Sequence, residues 1–174
     1  MIRVVLLFIL VLQCSCTGLN EWRERKQKAT WERRVAEFER GQQQYVILPG
    51  LTGYIYRPEE VEERVGEDET RKIALSLADV LETEKYMREQ MVRIDTPRTF
   101  SSPHVHQKLS GYGRQYVGYM NVAGERIVWV NAIWGGFPLH RGIESVKDGG
   151  DYYWNVKVNL TRKKVYDLYI NGEA

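Results

Sequence analysis

Downstream of residue 16 the chain has no cysteine; its only two are Cys14 and Cys16. The domain that follows can therefore hold no internal disulfide, no thiolate-ligated metal and no cysteine nucleophile, and it must be stabilised by its core alone. Also missing are a Gly-x-Ser-x-Gly elbow, a Walker or dinucleotide glycine pattern and a His-Glu-x-x-His sequence. Serine-nucleophile, nucleotide-binding and zinc-protease readings each lose their first requirement. The longest apolar run, residues 4–12, has nine residues, well short of the roughly 20 that a membrane-spanning helix needs. Charge of either sign is not in excess, with 25 basic against 23 acidic residues. No bulk field favours nucleic acid or an anionic membrane.

What is present begins with a leader. Arg3 precedes the apolar run, and residues 13–18 then turn small and polar. Residues 1–16 are therefore expected to be a signal peptide, with the protein exported to the periplasm, released, or tethered to a membrane by lipid. A cysteine straight after the apolar run resembles a lipobox, so Cys14 or Cys16 is a candidate lipidation site, although Gln13 departs from the small residue preferred there. A cofactor is not implied, and membrane contact is expected only through such an N-terminal lipid.

The remainder divides into residues 17–66, a polar helix and linker with a short hairpin, and residues 67–174, an α+β domain. Hydrophobic residues make up 43 % of the chain and charged residues 28 %, globular proportions that rule out wholesale disorder. Residues 20–40 read as a polar helix stopped by Gly41. Pro49-Gly50 suits the centre of a type II turn joining two short strands. Residues 68–93 read as the main helix, with Ile73, Leu77, Val80, Met87 and Met91 on one face and Glu84 interrupting the stripe. Glu84 is expected to pair with a strand arginine, Arg114 or Arg126. Strands follow at 115–121, 126–134, 152–160 and 164–171, and 143–147 is a candidate for one further short strand. In the strand at 152–160, Trp154, Val156, Val158 and Leu160 share one side. The expected fold is α+β: one long helix packed on a four-stranded antiparallel meander, preceded by a polar N-terminal helix.

Residues 112–121, 124–131, 148–150 and 169–174 resemble a family of small secreted or lipid-anchored bacterial proteins that carries no assigned activity. The resemblance covers residues 68–174 and supplies no functional residues. The element order is also similar to cystatin-like and PepSY-like modules, which implies binding or inhibition rather than catalysis.

Two constellations bear on function. The loop from Trp134 to Arg141 carries Trp134, Phe137, His140 and Arg141, residue types that dominate binding hot spots. His104-x-His106 could present two imidazoles to one metal, with His140 as a third ligand. Asp148-Gly-Gly-Asp151 lacks the rest of a calcium loop and reads as a turn. The leading expectation is a non-enzymatic envelope protein that binds a protein or other envelope macromolecule through Trp134, Phe137, His140 and Arg141. The alternative is a small metal-dependent or acid/base enzyme using His104, His106 and His140.

Overall fold

The computed structural model describes residues 25, 26, 29, 33, 44–95, 104–135, 138–143, 146 and 148–172. The chain forms two compact units, Met1–Gln42 and Gln43–Ala174. In the first, Arg25, Lys26, Ala29 and Arg33 are helical and exposed, and the rest of the helix expected over 20–40 lies outside the described residues. Cys14 and Cys16 lie outside the described residues.

The second unit is mostly sheet. Its elements are β1 (Tyr45–Leu48), β2 (Leu51–Ile55), β3 (Glu69–Ile73), helix α1 (Leu77–Gln90), β4 (Tyr112–Asn121), β5 (Arg126–Trp134), β6 (Tyr153–Asn159) and β7 (Lys164–Ile170). All seven strands belong to one mixed sheet of order β1-β2-β4-β5-β6-β7, and β3 also pairs with β4. β2 runs parallel to β4, with Thr52 opposite Gly113 and Ile55 opposite Tyr116. β3 runs antiparallel to the other half of the same edge, with Ile73 opposite Gly118. Two short strands thus lie end to end along β4.

This corrects the expected four-stranded meander in three places. The β1–β2 hairpin turns at Pro49-Gly50 as expected, with Gly50 at φ 71°, but it joins the main sheet instead of belonging to a linker. The helix is 14 residues long, not a helix from 68 onward. Its start is fixed by a capping box that the acidic residues at 67–69 obscure: the Ser76 hydroxyl accepts from the Asp79 amide at 3.1 Å, and Asp79 Oδ2 accepts from the Ser76 amide at 2.8 Å. Residues 69–73 become an edge strand because β4 offers them backbone partners, a tertiary effect that outweighs local preference. Third, Ile143 and Val146 lie outside any strand.

Helix α1 covers one face of the sheet. Val80, Met87 and Met91 from the helical side and Val128, Val130, Trp154, Val156 and Val158 from the strands are all fully buried. Glu84 enters this core beneath the helix. Its Oε1 lies 3.0 Å from Arg114 Nε, a charge contact without an aligned hydrogen bond, and accepts from the Tyr116 hydroxyl at 2.8 Å. The alternation of β4 therefore sends Tyr112, Arg114 and Tyr116 toward the helix and Gly113, Gln115 and Val117 to the opposite face. That opposite face carries a second apolar cluster at one end, built from Tyr54, Tyr56, Val61, Val117, Ile133 and Leu139.

Candidate functional site

On the helix-free face, β5 presents Trp129 and Asn131, β6 presents Tyr153 and Asn155, and β7 presents Tyr169. Register places them side by side: Asn131 is opposite Asn155, and Asn155 is opposite Tyr169. Tyr169 reaches this face through a bulge. Between the pairs Asn155–Tyr169 and Lys157–Tyr166, β7 spends one residue more than β6, and Asp167 sits there at φ 59°. Aspartate tolerates this left-handed conformation better than most residues. The extra residue switches the alternation, so Tyr166 and Tyr169 both point to the helix-free side. Strict alternation would group Tyr166 with Leu168 and Ile170 instead.

These side chains floor a cavity of about 650 Å³, within the 300–1,000 Å³ typical of small-molecule sites. One wall is the segment Glu63, Arg64 and Val65; the other includes Ile143 and Val146. Both walls are pinned. Buried Glu69 on β3 accepts from the Val65 amide at 2.9 Å and from Lys72 Nζ at 2.6 Å, and Lys72 Nζ also donates to the Glu63 carbonyl at 2.6 Å. Arg64 donates to the carbonyls of Glu67 and Glu69. On the other side, Asn171 Nδ2 donates to the Val146 and Asp148 carbonyls. The polar strand β3 thus earns its place by holding a cavity wall.

The 138–143 loop is tied to the floor by a buried chain of hydrogen bonds. The Tyr56 hydroxyl donates to the Leu139 carbonyl at 2.7 Å and accepts from the Gly142 amide at 3.1 Å. Gln115 Nε2 donates to the Leu139 and Gly142 carbonyls at 2.8 and 2.7 Å, and Gln115 Oε1 accepts from Asn131 Nδ2 at 2.9 Å. Burial pushes the Tyr56 hydroxyl up to about 12, so it stays protonated and can keep donating. Against this satisfied network stands Asn155. Among the described residues its half-buried carboxamide has no hydrogen-bond partner, and it lines the cavity together with Trp129, Tyr153 and Tyr169.

The residues singled out in the sequence are dispersed. Trp134 is 40 % exposed and stays on the helix side, where its ring meets Tyr112 edge-on at 4.9 Å and Lys108 Nζ sits 5.4 Å from it. His140 is on the other side of the sheet, with Nδ1 2.5 Å from the Tyr45 hydroxyl. Arg141 is exposed, and Phe137 lies outside the described residues. Trp134 and His140 therefore do not share one surface. His104 and His106 do come together, with ring centroids 5.0 Å apart, but His140 does not join them. Their third neighbour is Asp95, and donor atoms of the three lie within 4.8 Å of one another.

Asn155 and Tyr169 stand at positions that simple alternation gives to solvent, and Trp129 lies in a continuous apolar run that reads as covered on both faces, so spacing marks none of them as a site. Their composition was the available signal: a water-facing strand surface seldom carries three aromatic rings and several asparagines in place of charged residues.

No family model, curated protein or solved structure matches the chain. Among the described residues, no helix is long and apolar enough to cross a membrane.

Proposed function

We propose that this chain is an exported, non-enzymatic binding module that takes a neutral polar ligand, a short glycan, in the cavity on the helix-free face of its sheet. The observation that carries the reading is the unpartnered Asn155 carboxamide set among Trp129, Tyr153 and Tyr169. A carboxamide offers two donors and an acceptor, which suits vicinal hydroxyls or an acetamido group. Aromatic rings supply flat apolar faces on which a sugar ring can lie at little entropic cost. Charge is scarce in the cavity lining: Arg64 already donates to two backbone carbonyls, leaving Glu63 as the other ionisable wall residue. Arg64 and Glu63 are exposed and of opposite sign, so the lining sets up no single-sign field for a strongly charged ligand, whereas a neutral one carries no ionic desolvation penalty.

The test is titration of the full chain with neutral oligosaccharides (cello-, chito- and manno-tetraose), read by tryptophan fluorescence and calorimetry. At least one series is expected to bind. Asn155→Ala and Tyr169→Ala should each weaken it by about tenfold or more, equivalent to about 1.4 kcal/mol, with unchanged thermal unfolding. Trp134→Ala should leave it unaltered. Absence of binding across all three series, or binding indifferent to both cavity substitutions, overturns the proposal.

A further inference from the structure

We infer that Asp95, His104 and His106 form a binding site for one first-row transition-metal ion, with zinc the best match. None of the three residues lines the cavity, so the inference stands apart from the glycan reading.

Asp95 closes the turn that follows α1, its amide donating to the Met91 carbonyl at 2.8 Å. Its carboxylate is only 2 % exposed. A buried carboxylate requires compensation by charge and hydrogen bonds, yet among the described residues no lysine or arginine pairs with it. Its partners are the two histidines. Asp95 Oδ2 accepts from the His106 amide at 2.8 Å and lies 2.7 Å from His106 Nδ1. His104 Nδ1 is 2.8 Å from the Asp95 carbonyl oxygen and 3.8 Å from its Oδ1.

Local structure aims both rings at this point. His104 is extended and precedes a 3-10 segment, Val105–Gly111, that leads into β4. Val105 is fully buried and anchors the backbone between the two imidazoles, which leaves them side by side. His104 and His106 keep 31 % and 19 % of their side-chain surface exposed, so an ion and its water ligands can enter. Two imidazoles and one carboxylate form a borderline donor set that suits zinc and its first-row neighbours; calcium and magnesium call for all-oxygen shells. Three protein ligands leave at least one position of a tetrahedral shell open. Asp95 thus has two imidazoles and no lysine or arginine beside it among the described residues, and a divalent ion held by the three side chains supplies a permanent positive charge.

The experiment uses untagged full chain, stripped with chelator and dialysed. It is titrated with Zn²⁺ by calorimetry and with Co²⁺ by visible absorption, and thermal unfolding is followed with and without Zn²⁺. We expect about one ion per chain, cobalt bands of a nitrogen-oxygen site, and a higher melting temperature with zinc. His104→Ala and His106→Ala should each weaken binding at least about tenfold and abolish the zinc-dependent rise in melting temperature. His140→Ala should retain both. His104 is the decisive position, because its ring is partly exposed and its removal spares the Asp95–His106 contact. No stoichiometric binding by the stripped protein, or binding unchanged in His104→Ala and His106→Ala, overturns the inference.

Discussion

Removing the Arg114 guanidinium should be among the most damaging single changes this domain can suffer. Arg114 and Glu84 are 1 % and 2 % exposed, with Nε and Oε1 3.0 Å apart. In Arg114→Met, Glu84 keeps the Tyr116 hydroxyl at 2.8 Å and Arg88 at 3.9 Å, but Arg88 is 61 % exposed and compensates weakly. The Leu109 carbonyl also loses its 2.7 Å donor. Stranding one member of a buried ion pair typically costs about 3–5 kcal/mol, a large share of the about 5–15 kcal/mol that holds a domain folded. For a domain of this size the melting temperature should fall by roughly 10–20 °C. The assay is equilibrium unfolding in urea followed by tryptophan fluorescence, with fully buried Trp154 as an internal reporter. The double variant Glu84→Met with Arg114→Met removes both charges and should be more stable than Arg114→Met by at least about 2 kcal/mol. Additive losses from the two substitutions would refute the claim that the pair is coupled within the core.

Two further changes probe the sheet and the loop. Gly118→Ala should destabilise by about 1–3 kcal/mol, measured by the same unfolding assay, because an added Cβ would stand 2.8 Å from the Ile73 carbonyl oxygen and 2.6 Å from Leu75 Cδ2; a neutral result would mean that β3 is not seated on β4. Stability should decline in alkali as the pH rises from 10 through about 12: the Tyr56 hydroxyl is raised by burial from its ordinary value, so its contribution is complete below pH 10 and lost as the folded group ionises. Tyr56→Phe should shrink that alkaline loss and cost about 1–3 kcal/mol at neutral pH, and an unchanged alkaline profile would remove Tyr56 as its source.

How far these features could be read from the amino acids depended on the kind of signal each one leaves. Trp154, Val156 and Val158 alternate with polar residues, and Leu77, Val80, Met87 and Met91 recur at helical spacing; both patterns follow from burial on one side and both sets are buried. The Glu84–Arg114 pair was legible for the same reason, since a carboxylate inside an apolar stripe needs a cation. β3 was not. Glu-Thr-Arg-Lys-Ile has no apolar alternation of its own and becomes a strand only because β4 has a vacant edge, so acidic residues before a helix were mistaken for its first turn. Tyr169 was hidden by the bulge at Asp167, which reverses the alternation midway through β7. Asp95, two residues before Pro97, signals in sequence only the end of a helix, and no spacing rule brings it to His104 and His106. His-x-His was visible as a pair, but the expected third ligand, His140, lies on the other side of the sheet against the Tyr45 hydroxyl.

The most direct measurement is a ¹H–¹⁵N correlation spectrum of the labelled chain titrated with the oligosaccharide that binds best. The Trp129 indole, the Asn155 carboxamide and the Tyr169 amide should shift together and saturate with one dissociation constant, while the Trp134 indole stays still. Shifts gathered at Trp134 and Arg141, or spectra unchanged at saturating sugar, would contradict a binding site on the helix-free face.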